Sequence, residues 1–393
     1  MIENHDIICF SNDWDGDPLS KQHIMRRLAR RNRVLWVNSI GNRNPGATVR
    51  DLRRAFRKLR AAMHGFRQVA ENIWVLSPLA IPFHGIAAAR IVNKHLLSAT
   101  IRVAARRLGF RDPLTWTFVP SSADVAGTLG ERSIIYHCVD EFSEFSGTDR
   151  AAILEMERRL MEKADAVVVS ASRLLEAKRR YNPYTCLVTH GVDIEHFRGA
   201  LDPQTLVPPD IASLRRPVIG FFGLIADWVD LALIRRLAER RPAWSFALIG
   251  KADCDDSAVR RLPNVHLLGR KQYADLPAYC KAFDVALLPF VINELTLNAN
   301  PLKLREYLAA GLPVVTSAIP EAQRLGHLVR VAHTPEQWLE QIECVLAGRT
   351  GPQAGISRAM DGESWDAKVE ELSAIVLEME ARQAVRAASL QAA

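Results

Sequence analysis

Several sequence features are missing from this chain of 393 residues, and each absence excludes a class of protein. No uninterrupted apolar run approaches the ~18 residues that a membrane-spanning helix needs. Neither G-x-G-x-x-G nor G-x-x-x-x-G-K-[ST] occurs, so a dinucleotide-dependent oxidoreductase and a P-loop kinase or ATPase lose their main support. The six cysteines form no C-x-x-C pair and most have apolar neighbours, so we expect buried free thiols of a reducing compartment.

The N-terminus also lacks a targeting pattern. The first ten residues, MIENHDIICF, show no positive segment followed by an apolar one, so we expect no signal peptide. Without a spanning segment either, the sequence predicts a cytoplasmic protein whose only membrane association is peripheral.

Positive charge is in mild excess, with 51 Lys and Arg against 44 Asp and Glu. Two basic segments lie within the first 111 residues. They either form solvated helix faces or a basic amphipathic surface that lies on anionic lipid. No nucleic-acid-binding motif accompanies them, so we expect no nucleic-acid partner. The first segment contains Arg50, Arg53, Arg54, Arg57, Lys58 and Arg60, and the second contains Arg102, Arg106, Arg107 and Arg111 beside Ile101, Val103 and Leu108.

Short apolar strands alternate with helical segments along the whole chain, which predicts an α/β fold built on parallel sheets. A Pro-rich stretch at 199–215 interrupts the pattern, which then restarts. We therefore predict two Rossmann-like domains at 1–200 and 216–363, joined by a linker at 201–215. Residues 364–393 form a helical tail.

The stretch 300–317, NPLKLREYLAAGLPVVTS, predicts a helix that Asn300 caps and Gly311 ends, followed by a buried strand. Lys303 and Glu306 lie on one face of its first turn. A helix N-terminus with a lysine can hold a phosphate, and a carboxylate one turn further in can accept hydrogen bonds from a ribose diol. The alternative is an ordinary surface helix with a salt bridge between these two side chains.

Glycines end three strands of the second half, at Gly223, at Gly250–Lys251 and at Gly269–Arg270. The backbone N–H groups after Gly223 are free to approach a diphosphate. We expect all three turns to lie at the same edge of the sheet as Lys303, the edge at which open α/β sheets bind ligands.

Two acidic pairs follow strands of the first half, at Asp13 and Asp15 and at Asp140 and Glu141. Asp13 and Asp15 are candidates for the acceptor side of a site rather than metal ligands, and the alternative is a solvated loop. A carboxylate at Asp140 or Glu141 can act as a general base. The alternative there is helix capping.

The turn Thr189-His190-Gly191 offers one further candidate. His190 can donate to a phosphate or sugar oxygen, and Gly191 permits a tight turn near a ligand. A histidine in a turn is otherwise structural.

Taken together, these motifs resemble GT-B glycosyltransferases, in particular bacterial exopolysaccharide and teichuronic-acid transferases. The resemblance implies two Rossmann-like domains that face a cleft, with a C-terminal helix that crosses back to the first. The segments that carry it are IGFFGLIADWVD (219–230), NVHLLGRKQYADLP (264–277), FDVALLPF (283–290), NPLKLREYLAAGLPVV (300–315) and, in the first half, YHCVDEF (136–142) and THGVDIEHF (189–197).

The resemblance also implies roles for individual residues. Lys303 would contact the donor diphosphate, Glu306 would hold the ribose, and Asp140 would be the base. The donor side would include Gly223, Arg270 and Asn300, and the acceptor side Asp13, Asp15, His190 and Glu141. The chain departs from the family pattern at two places. Many retaining relatives have two glutamates eight positions apart in the final motif, whereas the position eight before Glu306 is Asn298 here. Many relatives also have a glycine-rich loop near the N-terminus, where this chain has NDWDGDP (12–18).

The implied function is transfer of a sugar from a nucleotide-diphosphate sugar, with UDP or GDP, to the hydroxyl of a lipid-linked saccharide in cell-surface or exopolysaccharide synthesis. We expect neither a cofactor nor a metal. The alternatives are a nucleotide-sugar epimerase of the same architecture and a non-catalytic nucleotide-sugar-binding protein.

Overall fold

The computed structural model describes residues 1–39, 65–79 and 87–391. The chain forms two compact units, Met1–Thr189 with Lys368–Ala393 and His190–Ala367. The basic segment from Arg50 to Arg60 lies outside the described residues.

The sheet of the first unit contains eight described strands in the order β3-β4-β2-β1-β5-β6-β7-β8. All neighbours pair in parallel except β3 and β4. The strand order reverses between β1 and β5, and such a reversal opens a ligand crevice at the carboxyl ends of the strands. The strands are β1 (Asp6–Phe10), β2 (Arg33–Val37), β3 (Phe66–Ala70), β4 (Ile73–Leu76), β5 (Leu114–Thr117), β6 (Ser133–Cys138), β7 (Ala166–Val169) and β8 (Thr185–Leu187).

Helices connect these strands, as parallel pairing requires. They are α1 (Ser20–Leu28), α2 (Ala87–Arg107), α3 (Arg150–Lys163) and α4 (Ser172–Lys178), with 3-10 turns at Pro120–Ser122 and Phe142–Glu144. Along α2, Leu97 and Ile101 pack with Ile8, Phe10 and Leu35 in one apolar core.

The sheet of the second unit contains six described parallel strands in the order β11-β10-β9-β12-β13-β14. This is the doubly wound Rossmann order, and it reverses between β9 and β12. The strands are β9 (Val218–Phe222), β10 (Ser245–Ile249), β11 (Val265–Gly269), β12 (Val285–Leu288), β13 (Val314–Ser317) and β14 (Val329–Ala332). The predicted α/β fold with two Rossmann-like sheets is confirmed.

The remaining helices belong to the second unit except for the last, which runs from it into the first. They are α5 (Ile194–Arg198), α6 (Pro209–Ala212), α7 (Leu231–Arg240), α8 (Ser257–Arg260), α9 (Leu276–Cys280), α10 (Glu294–Leu297), α11 (Leu302–Ala309), α12 (Pro320–Gln323), α13 (Pro335–Leu346), α14 (Ala354–Arg358) and α15 (Trp365–Gln391), with 3-10 turns at Gly199–Leu201, Tyr273–Asp275 and Gly326–Leu328.

From Lys368 onward, α15 belongs to the first unit. Its Glu370 accepts a hydrogen bond from the amino group of Met1 at 2.6 Å, and the carbonyl of Ile375 accepts one from the Tyr184 hydroxyl at 3.2 Å. The predicted return of the C-terminal helix to the first domain is confirmed.

The structure adds three details that the sequence did not indicate. Strands β3 and β14 were not predicted. Residues 199–215, predicted as a linker, contain α6, and Ile211 in this helix is buried in the core of the second unit. All six cysteines are free thiols, as predicted, but Cys344 is exposed and Cys186 and Cys254 are only partly buried, so the expectation of burial is confirmed for the other three alone. No helix among the described residues is long and apolar enough to cross a membrane.

Candidate functional site

Helix α11 of the second unit is fixed over the end of β9. The backbone N–H of Phe222, the last residue of β9, donates to the Tyr307 hydroxyl at 2.9 Å. The two rings also meet edge to face, with centroids 4.8 Å apart. Tyr307 thereby aligns the first turn of α11 with the turn that follows β9.

That alignment places the Lys303 side chain against the backbone of Gly223. A Cβ atom on Gly223 would lie 1.8 Å from Lys303 Cε and 2.6 Å from Nζ, so it would push the end of the lysine side chain away from this turn. Gly223 also has φ +135°, which L side chains rarely adopt. Gly223 and Lys303 therefore lie next to each other, as the sequence predicted.

Lys303 and Glu306 both lie in surroundings where burial disfavours the charged form of the side chain. Burial lowers the pKa of Lys303, and the nearby Glu306 carboxyl partly opposes this. Burial raises the pKa of Glu306 to about 7, and Lys303 partly opposes that shift. No hydrogen bond or ion pair within the described part of the chain engages either side chain. Both are therefore available to a ligand that brings an anion and hydroxyl groups.

The three glycine turns of this unit come together as the sequence predicted. Gly223 N–H donates to the carbonyl of Ile249 at 2.8 Å, and Gly250 N–H donates to the carbonyl of Gly269 at 2.9 Å. A Cβ on Gly250 would lie 1.8 Å from the Gly223 carbonyl oxygen. Arg270 follows Gly269 and is exposed.

Asn300 does not cap α11, and that prediction is wrong. Pro301 occupies the cap position without a side-chain cap bond. Asn300 is buried and its Oδ1 accepts from Arg305 Nη1 at 2.6 Å, while Arg305 Nε donates to Glu363 at 3.1 Å. Arg305 competes for the Asn300 oxygen because its guanidinium reaches back along the helix. Asn298 is likewise buried, and its amide donates to the carbonyl of Glu294 at 2.7 Å.

In the first unit, Asp140 lies two residues after the end of β6 and is partly buried. Burial raises its pKa to about 6, the Lys21 ammonium opposes the shift, and Glu141 adds to it. A carboxylate with this pKa is ionised at neutral pH yet basic enough to take a proton, as a general base requires.

Glu141 is engaged in a buried charge network rather than free. Lys178 Nζ donates to Glu141 Oε2 and to Glu157 Oε2, each at 2.7 Å. The Tyr136 hydroxyl donates to Glu157 Oε1 at 2.6 Å, and Ser143 Oγ donates to Glu141 Oε1 at 2.9 Å. These partners hold Glu141 inward, so the interpretation of Glu141 as a solvent-facing helix cap is wrong. Its role on the acceptor side stays a prediction.

The acidic loop after β1 is anchored by Trp14, whose ring meets that of Trp36 edge to face at 4.9 Å. Asp15 is exposed and accepts from Arg67 Nη2 at 2.6 and 2.8 Å, while Asp13 is exposed. Within residues 1–39, 65–79 and 87–391, no group of three or more His, Cys, Asp or Glu side chains is arranged to hold a metal ion.

The turn at His190 packs against the segment 363–365 of its own unit. His190 is buried, with its ring centroid 6.0 Å from that of Trp365. A Cβ on Gly191 would lie 2.9 Å from the Trp365 backbone, so Gly191 permits close packing of two chain segments. The expectation that this turn lies near a ligand stays a prediction.

Three side chains that organise these regions were missed as functional candidates: Lys21, Tyr307 and Lys178. The sequence did contain a signal for Lys21, because this residue lies at the start of the helix after β1, at the edge where open α/β sheets bind ligands. Lys178 offered none, because its carboxylate partners are distant in sequence.

Part of the second unit is similar to a known protein family. Residues 216–348 match the family model "Glycosyl transferases group 1". TuaH of Bacillus subtilis (strain 168), described as a teichuronic acid biosynthesis glycosyltransferase, is 27% identical over 231 residues, which is 53% of this chain. The match spans 56% of TuaH, just over half the length of that relative.

Solved structures match nearly the whole chain. Sucrose-phosphate synthase from Thermosynechococcus elongatus has a TM-score of 0.71 at 16% identity, covering 96% of this chain and 100% of that one. Anabaena Alr3699/HepE, solved in complex with UDP and glucose, has a TM-score of 0.66 at 16% identity, covering 95% and 99%. α,α-Trehalose 6-phosphate synthase from Burkholderia multivorans has a TM-score of 0.65 at 13% identity, covering 100% and 99%. The chain has the GT-B fold, which confirms the predicted fold class.

Proposed function

We propose that this chain, whose residues 216–348 form a glycosyl transferases group 1 domain, transfers a sugar from a nucleotide-diphosphate sugar to an acceptor hydroxyl. The observation that carries the proposal is the contact of Lys303 with Gly223. There the lysine ammonium lies against the turn after β9, the strand next to which the strand order of the sheet reverses. A lysine, a helix N-terminus and a glycine turn together suit a diphosphate.

On this proposal Lys303 and the backbone near Gly223 hold the diphosphate, and Glu306 accepts hydrogen bonds from the ribose. Arg270 and Asn300 border the same ligand. The nucleotide is UDP or GDP, and HepE, which was solved with UDP and glucose, supports the former.

The proposed chemistry is displacement at the anomeric carbon. Asp140 takes the proton of the acceptor hydroxyl, the acceptor oxygen bonds to the anomeric carbon, and the bond to the diphosphate oxygen breaks. Lys303 and the α11 N-terminus stabilise the departing negative charge, so we propose a reaction that needs no metal or other cofactor.

The acceptor that we propose is a lipid-linked saccharide, reached at the cytoplasmic face of a membrane. The relationship to TuaH supports a cell-surface polymer. Helix α2 supports the membrane: Val92, Leu96 and Val103, spaced i, i+4 and i+11, are 51%, 42% and 47% exposed. Exposed Arg102 and Arg106 flank this apolar stripe, and α2 contains no acidic residue. An apolar stripe with basic flanks is the pattern of a helix that lies on anionic lipid.

The membrane surface that we propose contains other apolar residues than the sequence suggested. Ile101 and Leu108, which the sequence grouped with the arginines, pack toward the core. Val103 remains exposed, and Val92 and Leu96 join it. The helix thus has apolar residues on two opposite faces.

A turnover assay tests the proposal. The protein is incubated with UDP- and GDP-sugars and a lipid extract of its native membranes, and release of the nucleoside diphosphate is measured. We expect release that needs the lipid extract and that Lys303→Ala abolishes, whereas Arg236→Ala, which removes an exposed cation of α7, leaves it intact.

Three other outcomes would contradict the proposal. Full turnover by Lys303→Ala would refute the assigned donor site. Conversion of the sugar without an acceptor would indicate an epimerase, and nucleotide-sugar binding without turnover a non-catalytic protein.

A further inference from the structure

Lys21 is a lysine buried in the first unit, with 7% of its surface exposed. It is the second residue of α1, and no hydrogen bond or ion pair joins its ammonium to another described residue. Its Nζ lies 5.9 Å from the ring centroid of Phe118 and 5.6 Å from that of Phe142. The two rings compensate part of the charge through cation–π interactions, but a buried ammonium also requires an anion nearby.

The position of Lys21 identifies that anion. Phe118 follows β5, and Phe142 lies two residues after Asp140, which follows β6. The ammonium therefore lies at the carboxyl edge of the first sheet, beside the segment that carries Asp140. Burial lowers the pKa of Lys21, and among the charges that oppose this Asp140 has the largest effect.

Most other titratable groups around this pair are neutral near pH 7. Burial raises the pKa values of the Cys9 and Cys138 thiols well above their ordinary value. Burial and Lys21 lower the pKa of His137 to about 3. Asp140 is therefore the group here that can carry a compensating negative charge.

Glu141 is the other charged neighbour, and it acts against Asp140. It bonds to Lys178 at 2.7 Å, and its charge adds to the effect of burial in raising the pKa of Asp140. Among the described residues, it is the positive charge of Lys21 that favours the ionised form of Asp140 and lowers its pKa.

We propose that Lys21 is the positioning residue of Asp140: it provides the positive charge that keeps this carboxylate ionised at the edge of the first sheet. The inference rests on the proposed function, in which Asp140 accepts the proton of the acceptor hydroxyl. Lys21 itself exchanges no proton in that step. Without its charge, burial and Glu141 remain, and both favour the protonated acid.

The test is a titration of the Asp140 carboxyl by NMR in protein labelled with ¹³C at aspartate carboxyl carbons, with Asp140→Asn to assign the signal. We expect Lys21→Met to move the titration midpoint upward by about one pH unit or more, because loss of an adjacent opposite charge has effects of this size. Lys21→Arg keeps the charge and should keep the midpoint near that of the unmodified protein. Lys94→Met, on exposed α2, is the matched control.

The acidic limb of kcat/KM against pH should move by the same amount in Lys21→Met, while binding of UDP or GDP stays unchanged. An unchanged midpoint and limb would overturn the inference and leave Lys21 a packing residue. If Lys21→Met does not fold, Lys21→Gln, with a polar chain of similar length, provides the same measurement. Full turnover by Asp140→Asn would instead refute the base in the proposed function, and the NMR midpoint would still report on Lys21.

Discussion

Glu306 is a carboxyl group whose burial favours ligand binding at the expense of stability. Burial raises its pKa from 4.5 to about 7, because the ionised form loses hydration that Lys303 only partly replaces. The ionised form is nevertheless the better hydrogen-bond acceptor for a ribose diol. A residue selected for stability alone would not be a glutamate here.

This trade-off predicts the behaviour of Glu306→Gln. Between pH 4.5 and about 7 the folded protein retains a proton that the unfolded chain has released, so the free energy of unfolding falls as pH rises through that window. The substitution removes this loss. We expect it to raise the free energy of unfolding by on the order of 2 kcal/mol at pH 8 and by little at pH 4.

Urea denaturation at both pH values measures the effect, with Glu340→Gln, an exposed carboxylate of α13, as the control. Equal stability of Glu306→Gln and the unmodified protein at pH 8 would show that the carboxyl is not strained by burial. We also expect Glu306→Gln to weaken nucleotide binding.

At the scale of elements, the turn after β9 is the feature that decides where Lys303 lies. Gly223→Ala should displace the lysine, because the new Cβ would overlap its Cε and because φ +135° disfavours any L side chain. We expect nucleotide affinity to fall about tenfold or more, the effect of losing a charge-assisted hydrogen bond. Calorimetric titration measures the change.

Gly130→Ala is the matched control for that experiment. Gly130 also has positive φ, but a Cβ there meets no atom within 4 Å, and it lies in the first unit. This variant should lose some stability and keep its affinity. Normal affinity in Gly223→Ala would mean that Lys303 is not held by the turn.

Helix α2 makes the other prediction at this scale. Joint replacement of Val92, Leu96 and Val103 by Ser should reduce sedimentation with phosphatidylglycerol vesicles, because it removes the apolar stripe. Salt should weaken the remaining binding, since arginines supply the electrostatic part. Vesicles of phosphatidylcholine alone should retain little of either protein.

The control replaces three other exposed apolar residues of the first unit, Leu154, Leu377 and Val385, by Ser. This variant should bind vesicles as the unmodified protein does. Equal sedimentation of the two triple variants would remove α2 as the membrane surface.

The elements also show what the sequence could and could not predict. Gly311 ends α11 in the left-handed conformation, as predicted, because the requirement for glycine there is local. Strand β3 (Phe66–Ala70) escaped prediction because it is a largely exposed edge strand without an apolar run. The exposed apolar stripe of helix α2 could not be recognised in the sequence. Leu97 and Ile101 face the core from the opposite side of the helix, so the two apolar faces cancel in the hydrophobic periodicity.

For the whole molecule, the order of strands and the recurrence of motifs were sufficient to predict two Rossmann-like sheets. The pairing of side chains across the fold was not. Lys21 meets a segment 119 positions later in the chain, and Lys178 joins carboxylates from two other elements. Such contacts depend on the tertiary structure, whereas Lys303 and Glu306 lie within one turn of a single helix, where a sequence pattern can show them.

The central claim is that Lys303 and the turn at Gly223 form a nucleoside-diphosphate site. Calorimetric titration with UDP and with GDP, of the unmodified protein, Lys303→Ala and Lys94→Ala, tests it most directly. We predict that one of the two nucleotides binds, that Lys303→Ala weakens this binding about tenfold or more, and that Lys94→Ala does not change it. Binding of neither nucleotide, or equal binding by Lys303→Ala, would contradict the account.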